Sequence, residues 1–278
     1  MLTKLARTLP SDAPVERSIE ALDLERNELG YDPWGFHADP CKAYYKIAHY
    51  VYRYFRPQIH GIENVPAGRV LIVPNHSGQF PLDGLVISVA CMIEANPPRL
   101  LRAMAERWFS RLPYLSEIFA RTGVVLGDPT NCRNLLEADN AILVFPEGAR
   151  GSGKTWTHRY RLRSFGHGFM RLALQARAPI VPVAVIGAEE SLISIHDARS
   201  LAKIFHTPYW PVPPHLPLLG LLAYVPLPTQ FHVYFGEPMH FDGPYDDEDE
   251  IIEHKVEQVR ARVQQMIDDG LARRTSVF

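Results

Sequence analysis

Five short runs of aliphatic and β-branched residues constrain this chain more than anything else in it. They are RVLIVPN from Arg69, TGVVL from Thr122, AILVF from Ala141, PIVPVAVIG from Pro179 and FHVYFG from Phe231. Each has the length and composition of a buried strand, and helical patterns lie between them. Strands alternating with helices predict an α/β fold, a mixed, largely parallel sheet flanked by helices. With 46% hydrophobic residues in 278, a core of that size can be filled.

The elements between the runs follow from periodicity. GLVISVACMI from Gly84 is too short to cross a bilayer and reads as a buried helix. A charged amphipathic helix is expected from Asp246 to Arg274. From Lys42 a helix is expected with Lys42, Lys46, His49, Arg53 and Arg56 on one side and Tyr44, Ala48, Val51 and Phe55 on the other. Such a basic stripe suits a membrane interface, or a surface helix packed on the core. Residues 1–40 read as an N-terminal extension, a short helix and a loop ending at YDPWGF. Residues 41–278 read as one domain with an apolar, proline-broken loop at 206–228. Proline interrupts that loop too often for a spanning helix, and if exposed it would suit a membrane or an apolar substrate.

Composition excludes several classes. A formal net charge of −2 does not point to nucleic acid. Cys41, Cys91 and Cys132 have no metal-ligand spacing and read as reduced, buried thiols of an intracellular protein. The first residues lack a continuous apolar stretch, so no signal peptide is expected.

FPEGARGSGKTWTH, Phe145 to His158, admits two readings. Gly148 to Thr155 spells the phosphate-cradling loop of nucleotide hydrolases, which must follow a strand and open a helix. AILVF supplies the strand, but TWTHRYRLRSFGHG has no apolar helical face, and PIVPVAVIG does not end in a magnesium-binding Asp. Ser152, Gly153 and Lys154 are then expected to form a flexible basic turn. Arg159, Arg161 and Arg163 extend the basic run and would meet phosphates or simply face solvent.

In VLIVPNHSGQFPLDG a strand ends at Asn75, His76 follows at once and Asp83 opens the next helix. A histidine there is placed to act as a general base, with Asp83 fixing its tautomer. The plain alternative is a packed His76 and an Asp83 that only caps the helix. On one continuous helix residues seven apart rise about 10 Å, so a contact requires the chain to fold back. Gly78 and Pro81 allow that.

Together these stretches resemble the glycerolipid and lysophospholipid acyltransferases, over roughly residues 55 to 240. The matching motifs are His76 with Asp83, Phe145-Pro146-Glu147-Gly148 with Arg150, and Ile180-Val181-Pro182-Val183. NHSGQFPLDG is most similar to the monoacylglycerol and diacylglycerol acyltransferase-like branch. Two departures stand out. Six residues separate His76 from Asp83 where the family has four, and Pro129 in GVVLGDP occupies the place of a phosphate-binding Arg, for which Arg133 is the substitute.

The resemblance implies a glycerol-3-phosphate acyltransferase-like fold and transfer of a fatty acyl group from acyl-CoA or acyl-carrier protein to a lipid hydroxyl. It implies no cofactor or metal, and a protein at a cytoplasmic membrane surface. His76 would be the base and Asp83 its partner. Ser77 would be an alternative nucleophile, and loops near Gly78 and Gly148 would donate to the oxyanion. Glu147, Gly148, Arg150, Arg133 and Pro182 would contact substrates, with Glu147 alternatively holding Arg150. The rival readings are a non-catalytic lipid-binding protein of the same fold, a thioester hydrolase and a nucleotide hydrolase.

Overall fold

The computed structural model describes residues 8–76, 80–106, 115–204 and 207–278. Its strands are β1 (Gln58–His60), β2 (Val70–Pro74), β3 (Leu101–Ala105), β4 (Val125–Leu126), β5 (Ala141–Leu143), β6 (Ile180–Ile186), β7 (His196–Asp197), β8 (Pro211–Val212) and β9 (His232–Phe235). Its α-helices are α1 (Ala13–Glu20), α2 (Ala38–Phe55), α3 (Leu82–Ile93), α4 (Leu115–Arg121), α5 (Pro129–Glu137), α6 (Ala149–Ser152), α7 (Gly168–Ala176), α8 (Ala188–Ser191), α9 (Arg199–Ile204), α10 (Leu216–Leu219) and α11 (Asp249–Arg273).

Seven strands form one sheet in the order β1-β9-β6-β2-β5-β3-β4, while β7 and β8 make a separate two-stranded ribbon. Every neighbouring pair in the large sheet is parallel except β6 and β9. All five apolar runs are strands, as expected.

Alternation along the strands sorts side chains between the two faces. Val70, Ile72, Val181 and Val183 join a core with α1, α2 and α3. Leu71, Val73, Ile142 and Ile180 join a second core with α5, α7 and α11. Both faces are therefore covered, which is why these strands read as unbroken apolar runs. The Gly84 run lies in buried α3, and Cys41, Cys91 and Cys132 are buried free thiols. Among the described residues no helix is long and apolar enough to cross a membrane.

The first three residues of the basic stripe of α2 face the protein's own acidic helix, and Arg53 and Arg56 stay exposed. Lys42, Lys46 and His49 pair with Glu20, Glu16 and Asp12 at 2.7, 2.6 and 2.6 Å, so α1 lies antiparallel across the stripe. Val15 and Ile19 of α1, with Phe36, enter the main core.

The chain leaves β2 toward α3 on one face and leaves β5 toward α7 on the other. Adjacent parallel strands whose outgoing connections diverge open a crevice at their carboxyl ends. His76 and Glu147 stand there.

Candidate active site

Asn75 anchors the end of β2. Its side-chain amide donates to the Val185 carbonyl at 3.0 Å and accepts from the Val185 amide at 2.7 Å. His76 leaves from that fixed point. Asp83 is the second residue of α3 and is fully buried. His76 Nδ1 lies 2.8 Å from Asp83 Oδ2. A carboxylate can only accept, so Nδ1 carries the hydrogen and Nε2 is the basic nitrogen. The other oxygen, Oδ1, accepts from the Gly84 amide at 2.7 Å. The expected fold-back is present: one residue sits at a strand end and the other in a helical first turn, so six intervening residues still allow contact. The Phe145 ring covers the imidazole, with centroids 4.1 Å apart. Ser77 and Gly78 lie outside the described residues.

Glu147 is buried and fully engaged by the chain. Its Oε1 accepts from the His76 amide at 2.9 Å and its Oε2 from the Arg163 amide at 2.8 Å. Lys154 Nζ stands 3.5 Å from Glu147 Oε2 and 2.9 Å from Glu189 Oε1. Glu147 therefore holds Lys154, not Arg150. Burial pushes the Glu189 carboxyl above its ordinary range, opposed by the Lys154 charge.

The flexible basic turn expected at Lys154 is thus a buried one, its lysine side chain 3% exposed. This also decides the double spelling of the motif. A phosphate-loop lysine must face the ligand at the start of a helix, whereas α6 ends two residues before Lys154 and the ammonium faces two carboxylates.

The turn itself depends on two glycines. Gly148 has φ 56° and ψ −155°, a conformation reserved for residues without Cβ. Its amide donates to the Phe145 carbonyl at 3.0 Å, so that amide is already used within the turn. Gly151 escaped the sequence reading. A Cβ there would stand 2.7 Å from Glu147 Cβ and 2.8 Å from His76 Cβ. Its missing side chain lets the turn close onto the histidine, and only the glycine density of the stretch hinted at this.

The remaining candidates disperse. Arg150 is exposed on α6, immediately beside Gly151. Arg133 lies on α5, next to the edge strand β4, and approaches Glu137 at 3.8 Å. Pro182 is buried in β6, and a Cβ on Gly236 would meet its Cγ at 2.9 Å and Met266 Sδ at 3.0 Å. It therefore packs on the α11 face of the sheet, opposite α3. Arg159, Arg161 and Arg163 are exposed.

The proline-broken loop is exposed at its tip. Leu218 and Leu221 are 89% and 86% exposed, and Leu222 and Val225 are largely so. Tyr54 and Arg56, at the end of α2, donate to the carbonyls of Pro226 and Pro228, each at 2.7 Å. These bonds seat the loop beside the exposed Tyr50 and Tyr54 rings.

The chain is similar to known proteins in sequence and in fold. The acyltransferase family model matches residues 56–186. An uncharacterized protein of Mycobacterium tuberculosis is 36% identical over 261 residues, spanning 92% of this chain and 72% of the relative. The DGAT1/2-independent enzyme synthesizing storage lipids of Gallus gallus is 26% identical over 188 residues, spanning 66% of this chain and 52% of that protein. The crystal structure of the 1-acyl-sn-glycerophosphate (LPA) acyltransferase PlsC from Thermotoga maritima superposes with a TM-score of 0.55 at 16% identity. That superposition covers 99% of this chain and 97% of that one, and it shows a common fold.

Proposed function

The chain belongs to the glycerolipid acyltransferase superfamily, and from that premise we propose that it moves a fatty acyl group from acyl-CoA or acyl-carrier protein to a hydroxyl of a glycerolipid or lysophospholipid. The observation that carries this reading is the 2.8 Å contact between His76 Nδ1 and Asp83 in the crevice of the sheet.

In the proposed reaction His76 Nε2 takes the proton of the acceptor hydroxyl as the oxygen attacks the thioester carbonyl. The new C–O bond forms, and negative charge gathers on the carbonyl oxygen. Collapse of that adduct breaks the C–S bond, and the departing thiolate recovers the proton from the imidazolium. General-base assistance of this kind contributes about 10²–10⁴-fold. Asp83 orients the ring and stabilises its charged form. Glu147 is a positioning residue, because both its oxygens are occupied by the chain's own groups. Arg150, exposed on the same turn, is the group suited to a substrate phosphate.

The enzyme would work at a membrane from the cytoplasmic side. Supporting contact with a membrane surface are the apolar tip at Leu218, Leu221, Leu222 and Val225 and the adjoining Tyr50 and Tyr54, with Arg53 and Arg56 beside them. Leucines suit the acyl boundary, tyrosines the interface and arginines anionic headgroups. The reaction is tested by incubating the protein with labelled acyl-CoA and a panel of lipid alcohols, resolving products by mass. Ester formed in step with thiol release supports transfer, while free acid alone would make the protein a thioester hydrolase.

A further inference from the structure

Between α6 and the segment carrying β7, α9 and β8 lies a cavity of about 890 Å³. Four cations line it, Arg150, Arg163, Arg199 and Lys203, against one carboxylate, Asp197. They come from three separate stretches of chain, so local sequence does not explain their meeting. None supports the core. All four side chains belong to exposed residues, and the described ion pair within the set is a loose 3.8 Å contact of Arg199 with Asp197, with the Arg199 side chain 89% exposed. Like charges gathered in a concave wall repel one another and focus a positive potential, which an anion relieves. Arg199 and Lys203 also lie beyond residues 56–186, where the family match ends.

We propose that this cavity binds phosphate groups of a substrate, and that Arg199 and Lys203 are binding residues added to the acyltransferase site by the segment after β6. The proposal rests on the acyl-transfer reading, because α6 joins the two places. Arg150 and Ala149 line the cavity, and Gly151, on the same short helix, lies against His76. The volume falls within the range of small-molecule sites. Two sources would present the required chemistry, the nucleotide phosphates of coenzyme A and the headgroup phosphate of the acceptor.

Calorimetric titration of the full chain with coenzyme A and with glycerol 3-phosphate, alongside pantetheine and glycerol as phosphate-free counterparts, tests the site without turnover. Arg199→Gln combined with Lys203→Gln should weaken at least one phosphate ligand about tenfold, since hydrogen bonds to charged groups are the stronger class. Loss of coenzyme A affinity identifies the donor as the source, and loss of glycerol 3-phosphate affinity identifies the acceptor. Lys203→Glu should weaken the same ligand further, and Arg262→Gln, exposed on α11, should change nothing. Equal affinities in wild type and double variant, with melting temperatures matched, would overturn the proposal, as would absence of phosphate-dependent binding to wild type at millimolar ligand. Ester formation by His76→Ala is measured separately, so the base and the anion site fail independently.

Discussion

Lys154→Met deletes one charge while keeping most of the side-chain volume. The ammonium lies 2.9 Å from Glu189 and 3.5 Å from Glu147, all three side chains being almost fully buried. Without it, two buried carboxylates lie near each other with no ammonium between them. Removing one member of a buried ion pair costs about 3–5 kcal/mol. Part of that is recovered if a carboxyl takes up a proton, and Glu189 is placed to do so because burial already raises its pKa above 4.5. The loss near pH 8 should be about 3 kcal/mol, measured by urea unfolding. The sign of the pH dependence follows. A carboxyl with a raised folded pKa binds its proton more tightly folded than unfolded, so its contribution to stability grows as pH falls through the folded pKa toward 4.5. The Lys154→Met deficit should therefore shrink toward pH 5. Glu189→Gln in the same chain should restore part of the deficit at pH 8, giving a coupling energy of about 1–3 kcal/mol. A single variant within about 0.5 kcal/mol of wild type at pH 8 would refute the buried bridge and place Lys154 in solvent.

Three further outcomes follow. Gly151→Ala forces a Cβ to within 2.8 Å of His76 and 2.7 Å of Glu147, so kcat should drop about 10²-fold through misplacement of the base, read in steady-state acyl transfer. His232 is buried with neither ring nitrogen hydrogen-bonded, and burial holds its pKa below 6.5. Its unfolded form gains a proton first, so stability should fall as pH drops from about 6.5 toward the lowered value, and His232→Phe should flatten that limb in thermal melts. Leu218→Ser with Leu221→Ser should weaken sedimentation with anionic vesicles by tenfold or more at unchanged melting temperature, each buried leucine being worth about 1.5–3 kcal/mol.

The parts legible in the sequence were those carried by local patterns. The apolar runs named the strands because the sheet is covered on both faces. β3 was missed because Arg102, its second residue, interrupts the apolar pattern. That arginine is buried all the same, held by Asp32 and by Asn140 at 3.1 Å, with Trp34 and Phe36 against it. The YDPWGF loop thus supplies the partners that turn a charged residue into core. On α2 the helical period placed the basic residues on one side but could not say what covered them. The signal was available in Asp12, Glu16 and Glu20, spaced by four and matched in reverse order to His49, Lys46 and Lys42. The contact of His76 with Asp83 was reachable because both flank one strand-to-helix connection. Glu189 was out of reach, since Lys154 meets it only after the chain has crossed α7 and β6.

The most direct test of the account is single-turnover ester formation by His76→Ala, with the fold checked by circular dichroism. Enzyme is in excess over the labelled acyl-CoA, a lysophospholipid is supplied at saturation, and labelled product is quenched and counted. Loss of the general base predicts a fall of about 10²–10⁴-fold in the rate constant. A rate equal to wild type would contradict the account, because the proton would then leave the hydroxyl by another route.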